Sequence, residues 1–306
     1  MNIAAFHSNG KLLITGEYLV LDGALAMAVP TKYGQRLEVS LHESFSGIRW
    51  EAKVLNKGWL QVNFGSRLFN IIHTNDQKLA LHLKGILKKA FEIANIQVDN
   101  QKGIKIRTNL DFDKNWGLGS SSTLLSNIGY WLEVDPHHLS QQTSNGSGVD
   151  VAAARSDQPI FYQLKDGQPK VTTIDFKPLF KKNIYFVHLG KKQSSSQSVE
   201  NYKKNIVSSQ KMVEEISVLS RVISTTKSLL DFDKALAEHE RIIASLIGEQ
   251  RVKERYFSDF NGQIKSLGAW GGDFVMATSQ NDPKDVFKYF QNKGHQTILT
   301  YDDMVL

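Results

Sequence analysis

The chain has 306 residues, 41% of them hydrophobic and 22% charged, and contains no cysteine. Its length predicts about two domains, each able to bury its own core, and the lack of cysteine excludes disulfide scaffolds, thiolate metal sites and a cysteine nucleophile. Lys and Arg number 37 against 31 Asp and Glu, a net charge of +6 that suits an anionic ligand such as a nucleotide or a phosphorylated metabolite.

The lysine pairs (Lys88-Lys89, Lys181-Lys182, Lys191-Lys192, Lys203-Lys204) are scattered rather than clustered, so they read as solvated surface and no nucleic-acid partner is expected. The opening segment, MNIAAFHSNGK, lacks a basic start followed by an apolar stretch and a cleavage site. No apolar run approaches the roughly 18 residues of a membrane helix. A cytoplasmic protein without a membrane partner is the expectation.

In chain order, short β-rich runs come first: Lys11 to Thr15, Leu25 to Val29, Gln35 to Leu41, Gly47 to Val54 and Trp59 to Phe64, with Asp22-Gly23 as a turn dipeptide. From Asn75 to Asn95 the period changes, and Leu79, Leu83, Ile86, Leu87, Ala90 and Ala94 fall on one helical face. Gly103 to Thr108 alternates like a half-buried strand. A helix is predicted over Ser120 to Leu132, stopping before Asp135-Pro136.

Past about residue 180 the pattern restarts with a strand over Ile184 to Leu189. One long helical tract follows, with Ile206, Val213, Ile216, Leu219 and Ile223 at helical spacing, and a second helix from about Asp233 stops at Gly248. A strand over Asp273 to Thr278 leads to a helix signalled by Asp282 as N-cap, Pro283 in the first turn and Gly294 at the C-terminus, and a strand over Thr297 to Tyr301 ends the chain. Without regular βαβ alternation the class is α+β, divided as 1–180 and 181–306.

Three glycine-bearing segments carry the chemistry. In Trp116-Gly117-Leu118-Gly119-Ser120-Ser121-Ser122-Thr123, small residues run into an amphipathic helix. Backbone N–H groups and the helix start can hold a phosphate there, although the residues also fit a simple capped turn. The spacing is neither that of a dinucleotide-binding fold nor that of a P-loop. In Ser8-Asn9-Gly10-Lys11 and Gly16-Glu17-Tyr18, a lysine and an acid sit at either end of an apolar strand, where they can pair or stay ordinary surface groups. In Asn145-Gly146-Ser147-Gly148-Val149-Asp150, a carboxylate heads an Ala-rich stretch, as a base or as a helix N-cap. Gly268-Ala269-Trp270-Gly271-Gly272-Asp273 adds a fourth turn. His137-His138 has no third ligand nearby, and no histidine is assigned to a metal.

The order and separation of these motifs resemble the GHMP kinase superfamily, which includes galactokinase, homoserine kinase, mevalonate kinase and phosphomevalonate kinase. The resemblance spans nearly the whole chain. It implies a ribosomal-protein-like N-terminal domain, a ferredoxin-like C-terminal domain and ATP between them. It implies that Lys11 contacts the acceptor oxygen, that Glu17 orients Lys11, and that Asp150 activates the acceptor hydroxyl. Gly117, Leu118, Gly119, Ser120, Ser121 and Ser122 match the loop around the ATP phosphates, with Ser121 as a magnesium ligand. Gly268, Gly271 and Gly272 match the third motif, beside the acceptor. The loop from Gly190 to Val199, with Lys191, Lys192 and Ser195, is similar to the acceptor loop of phosphomevalonate kinases.

Departures are visible. Asn9 stands where proline is usual, Trp116 where a small residue is common, and Trp270 interrupts the third glycine run. Leu139-Ser140-Gln141-Gln142 lacks the magnesium-binding glutamate of mevalonate kinases, so Ser121, phosphate oxygens and water are the expected metal ligands.

The implied activity is Mg2+-dependent transfer of the ATP γ-phosphoryl group to an anionic acceptor of the mevalonate pathway, mevalonate or phosphomevalonate, in isoprenoid biosynthesis. A kinase for homoserine or a sugar and a nucleotide-binding protein without turnover are the alternatives; a homodimer is compatible with either.

Overall fold

The computed structural model describes residues 3–66, 69–97, 102–191 and 195–306, the side chain of Ser195 excepted. Strands β1 (Ile3–Thr15), β2 (Ala26–His42), β3 (Gly47–Val54), β4 (Lys57–Phe64) and β5 (Ile71–Thr74) precede helix α1 (Gln77–Ala94) and strand β6 (Gly103–Leu110). Helices α2 (Ser120–Leu132), α3 (Pro136–Thr143) and α4 (Val149–Ala154) follow, then strands β7 (Ile160–Lys165), β8 (Gln168–Thr173) and β9 (Ile184–His188). The remainder runs α5 (Ser195–Asn205), α6 (Gln210–Thr225), α7 (Leu229–Ile247), α8 (Val252–Tyr256), β10 (Gln263–Ser266), β11 (Phe274–Thr278), α9 (Pro283–Asn292), β12 (Ile298–Thr300) and α10 (Tyr301–Met304). The class is α+β, as the absence of βαβ alternation predicts.

The chain forms two compact units that are discontinuous in sequence. Unit 1 takes Met1–Gly10, Tyr33–Lys114 and Gly119–Arg155; unit 2 takes Lys11–Lys32, Asn115–Leu118 and Ser156–Leu306. This differs from a single cut at 180/181, because unit 2 collects residues 11–32, 115–118 and 156–180. Pairing across the sequence is the cause. Ala26–Ala28 of β2 pair with β7, and the Lys11 N–H donates to Leu118 O at 3.0 Å.

In unit 1 the strand order is β5-β4-β3-β6-β2, with β6 parallel to β3 and the other neighbours antiparallel. The predicted face of α1 is buried through Leu83, Ile86, Leu87 and Ala90, in one core with Trp50, Phe64 and Ile128. Each of the leucine, isoleucine and phenylalanine side chains contributes about 1.5–3 kcal/mol on leaving water. Asp76 caps α1 by accepting from Leu79 N–H at 3.0 Å, and Asn95 closes it in the left-handed region.

The predicted strands over 25–29 and 35–41 are one strand, β2. Pro30 and Gly34 read as breaks, yet Pro30 lies beyond the residues paired to β7 and before Gln35–His42, paired to β6, so neither of these two ladders needs its missing N–H. A side chain at Gly34 would meet Ser8 O at 2.5 Å, so glycine there permits the close approach of β1.

Unit 2 carries the antiparallel sheet β10-β11-β9-β12. One core gathers Phe257, Phe260, Ile264, Val275 and Phe290; another gathers Leu19, Ile216, Ile243 and Trp270. Of the predicted long tract through 206–223, Ile206 lies outside the helices, because α5 ends at Asn205 and Ser209 starts α6 afresh by accepting from Met212 N–H at 3.2 Å. The β7–β8 hairpin went unpredicted although Asp166-Gly167, with φ of 51° and 74°, is a turn dipeptide with both residues left-handed.

Candidate active site

In unit 1 the phosphate-loop candidate opens α2. Gly119, at φ 83°, occupies the N-cap position, and no side chain caps the helix among the described residues. The amide donors of the first turn are therefore not engaged by a capping side chain, and they carry the positive end of the helix dipole. Ser120 and Ser122 are half-buried and Ser121 is exposed.

The helix start rests on a buried neutral network. Ser8 Oγ lies 2.7 Å from Ser126 Oγ and donates to Asn127 Oδ1 at 2.9 Å; Asn127 Nδ2 donates to Gln35 O and Thr123 Oγ1 to Gln35 Oε1, both at 2.8 Å. Asp150 is half-buried in the first turn of α4, where Gly148 (φ 87°) holds the N-cap position, so Asp150 does not cap the helix.

Unit 2 holds a narrow crevice of about 10 Å3 whose walls include Lys11, Gly117, Gly268 and Asp273. Three of the segments singled out in the sequence thus meet: the lysine of β1, the turn before α2 and the third glycine run. Lys11 is buried. Gly117 stands at φ 67°, and a Cβ there would come within 2.1 Å of Asp273 Oδ2, so only glycine fits.

Asp273 is held by its backbone, its N–H donating to Lys191 O and its O accepting from Leu189 N–H, both at 2.8 Å. Trp116 lies edge-on to Phe274, with ring centroids 5.6 Å apart. Trp270, which interrupts the glycine run, is an anchor: it is buried in the core with Leu19 and Ile243, its indole N–H donates to Gln250 O at 3.3 Å, and its backbone N–H donates to Tyr18 Oη at 3.3 Å.

Glue for these segments comes from residues the sequence reading missed. Glu17 Oε1 accepts from Lys265 Nζ at 2.6 Å, and Lys265 Nζ also donates to Ser266 O at 2.9 Å and lies 3.8 Å from Glu240 Oε1. The short-range partner of Glu17 is therefore Lys265, and Lys11 is a weaker electrostatic influence on it. Gly16 N–H donates to His239 Nε2 at 3.0 Å. That bond makes Nε2 an acceptor, so its 3.4 Å approach to Glu17 Oε2 is not an ion pair.

Burial sets the protonation of this group. It holds His239 well below the usual imidazole range, with the Lys265 charge adding to the effect. It pushes Glu17 up while Lys265 pulls it back, and it pushes Glu240 up to about 8 against the pull of Lys265. Glu240 thus keeps its proton at neutral pH, and Lys265 does not have to balance two buried carboxylates. A signal for these residues existed: His239 and Glu240 continue the buried stripe of α7 that holds Phe232, Leu236 and Ile243.

The remaining candidates are spread through unit 2. Lys191 is exposed, with Nζ 4.6 Å from the Tyr256 ring centre. Gly271, at φ 72°, donates its N–H to Ser266 Oγ at 3.4 Å, and Gly272 N–H donates to Ala269 O at 3.2 Å. Lys192 and the Ser195 side chain lie outside what the structure describes. Among the described residues, no three His, Asp or Glu side chains gather to hold a metal, and no helix is long and apolar enough to cross a membrane.

No protein-family profile and no curated protein sequence matches the chain. Solved structures do match its fold. Methanococcus jannaschii mevalonate kinase aligns at a TM-score of 0.68 and 16% identity over 97% of each chain. Streptococcus pneumoniae phosphomevalonate kinase, in complex with phosphomevalonate and AMPPNP, aligns at 0.69 and 18% identity over 97% of this chain and 99% of that one. Lactococcus lactis galactokinase, complexed with galactose, aligns at 0.69 and 12% identity over 98% and 93%. The chain shares the fold of these mevalonate, phosphomevalonate and galactose kinases, the fold that the motif order implied.

Proposed function

We propose that the chain is an ATP-dependent kinase that phosphorylates a small anionic alcohol, mevalonate or phosphomevalonate. The observation that carries this reading is the crevice in which Lys11, Gly117 and the turn at Gly268 and Asp273 meet, in a fold that mevalonate, phosphomevalonate and galactose kinases share. Nothing in that fold favours one acceptor, and the choice of an anionic one rests on the sequence motifs and the net charge of +6.

The uncapped start of α2, with Gly119 left-handed and three hydroxyls following, fits the phosphate oxygens of ATP. Ser121 is the exposed hydroxyl there for magnesium, whose other ligands are phosphate oxygens and water. When bound, ATP supplies the phosphoryl group and magnesium neutralises part of its charge. The protein's share is positioning and fixed charge. The Lys11 ammonium offsets negative charge at the acceptor oxygen. Asp150 takes the hydroxyl proton as that oxygen bonds phosphorus and the bond from phosphorus to the leaving oxygen breaks.

A coupled ADP-release assay with mevalonate, phosphomevalonate, homoserine and galactose tests the reading. Release with either of the first two supports it; release with galactose alone overturns the choice of acceptor, and ATP binding without release under any acceptor overturns turnover. Asp150→Asn is expected to lower kcat roughly 10²–10⁴-fold, the share of a general base, while ATP affinity stays unchanged.

A further inference from the structure

Two glycine-bearing segments of unit 2, Gly16–Tyr18 and Ser266–Gly271, are joined by fully buried side chains. Lys265 donates to Glu17 on one side and to Ser266 O on the other. Glu240 Oε1 accepts from Ser266 N–H at 3.0 Å, and Ser266 Oγ accepts from Gly271 N–H at 3.4 Å. In addition, His239 receives Gly16 N–H and Tyr18 Oη receives Trp270 N–H. Tyr18 itself sits at φ 60°, a backbone state that a bulky residue keeps only when its surroundings impose it.

A buried ammonium has three N–H donors to satisfy, and Lys265 places two of them on acceptors in different segments, Glu17 and the Ser266 carbonyl. We propose that Lys265 is a positioning residue: bridging Glu17 and the Ser266 carbonyl, with Glu240 Oε1 3.8 Å away, it couples the turn after β1 to the third glycine run, so that neither moves without the other. Lys265 touches no reacting atom. It acts through Glu17 on the turn that follows Lys11, and through Ser266 on the turn carrying Gly271. The coupling is a property of the fold; only its catalytic consequence rests on the kinase reading.

Amide hydrogen exchange on the full chain tests the coupling without any substrate. In Glu17→Gln/Lys265→Met, which removes both charges and keeps the shapes, peptides spanning 16–18 and 267–272 should both exchange at least about tenfold faster, while β11 keeps its protection. Glu240→Leu, which removes the acceptor for Ser266 N–H and the 3.8 Å neighbour of Lys265 but leaves the Glu17 pair, should speed both segments too, and it serves if the double variant does not fold. Glu240→Gln, which keeps that acceptor, should leave both unchanged. Acceleration confined to one segment, or to neither, overturns the proposal.

In the ADP-release assay the folded double variant should lose at least about tenfold in kcat with KM for ATP within about threefold, a split that a purely stabilising pair would not produce. Unchanged kcat in that variant overturns the catalytic consequence. Absence of ADP release from the unaltered protein, with coupled exchange intact, overturns the kinase reading and leaves the coupling standing.

Discussion

Each unit fixes its glycine-bearing segment on a buried polar framework, but the chemistry of the two frameworks differs. Under α2 in unit 1 the framework is neutral: Ser8, Gln35, Thr123, Ser126 and Asn127, joined by hydrogen bonds of 2.7–2.9 Å. Beside the third glycine run in unit 2 it is ionisable: Glu17, His239, Glu240 and Lys265, all fully buried. A neutral group left without a partner costs about 1–3 kcal/mol, whereas an uncompensated buried charge costs more and shifts with pH. The neutral framework is tolerant and independent of pH; the charged one is conditional on every member.

The largest expected effect tests that conditionality. Lys265→Met leaves Glu17 buried without its cation and should cost about 3–5 kcal/mol, read as a drop in the urea midpoint at unchanged slope. Adding Glu17→Gln should recover most of the loss, because the unpaired charge and not the missing bridge is what destabilises. If the double variant is no more stable than Lys265→Met, the contrast between the units fails.

A smaller effect is expected in unit 1. Asn127→Ala deprives Gln35 O of its donor and Ser8 of an acceptor, and should cost about 1–3 kcal/mol. The same loss should appear at pH 5 and pH 8, since no member of that network titrates between them. A pH-dependent loss would show that the neutral framework is coupled to an ionisable group.

This contrast also explains what the sequence disclosed. Local signals were readable: α1 follows from its spacing of apolar residues, and α9 from Asp282, which accepts from Lys284 N–H at 2.8 Å, and from Gly294 at φ 92°. Long-range partners were not. Glu17 carries no mark in its neighbourhood of a lysine 248 positions away, and Lys11 was the nearer candidate by sequence alone. The discontinuous units escaped for the same reason, since strand pairing between residues 26–28 and 160–162 leaves no trace in local period. Two readable signals were passed over: the Asp166-Gly167 hairpin and the polar pair His239 and Glu240 on the apolar stripe of α7.

The subtlest expected effect is a difference in slope. Glu240 is faced by Lys265 and Arg251, which favour its charged form, and by Glu17, which opposes it; burial outweighs them and puts its folded value at about 8 against an ordinary 4.5. The folded protein therefore binds a proton that the unfolded chain has released over that interval, and stability falls as pH rises from about 4.5 to about 8. Glu240→Gln cannot release a proton. It should match the unaltered protein at pH 5 and exceed it increasingly toward pH 8, as melting temperatures measured in parallel will show.

His239 works in the opposite sense. Held neutral in the fold, it lowers stability as pH falls below 6.5, where the unfolded imidazole takes up a proton. That contribution is common to both proteins and cancels in their difference, so the difference isolates Glu240. Parallel melting curves across pH 5 to 8 would mean that Glu240 is ionised in the fold, and Lys265 would then be balancing two carboxylates.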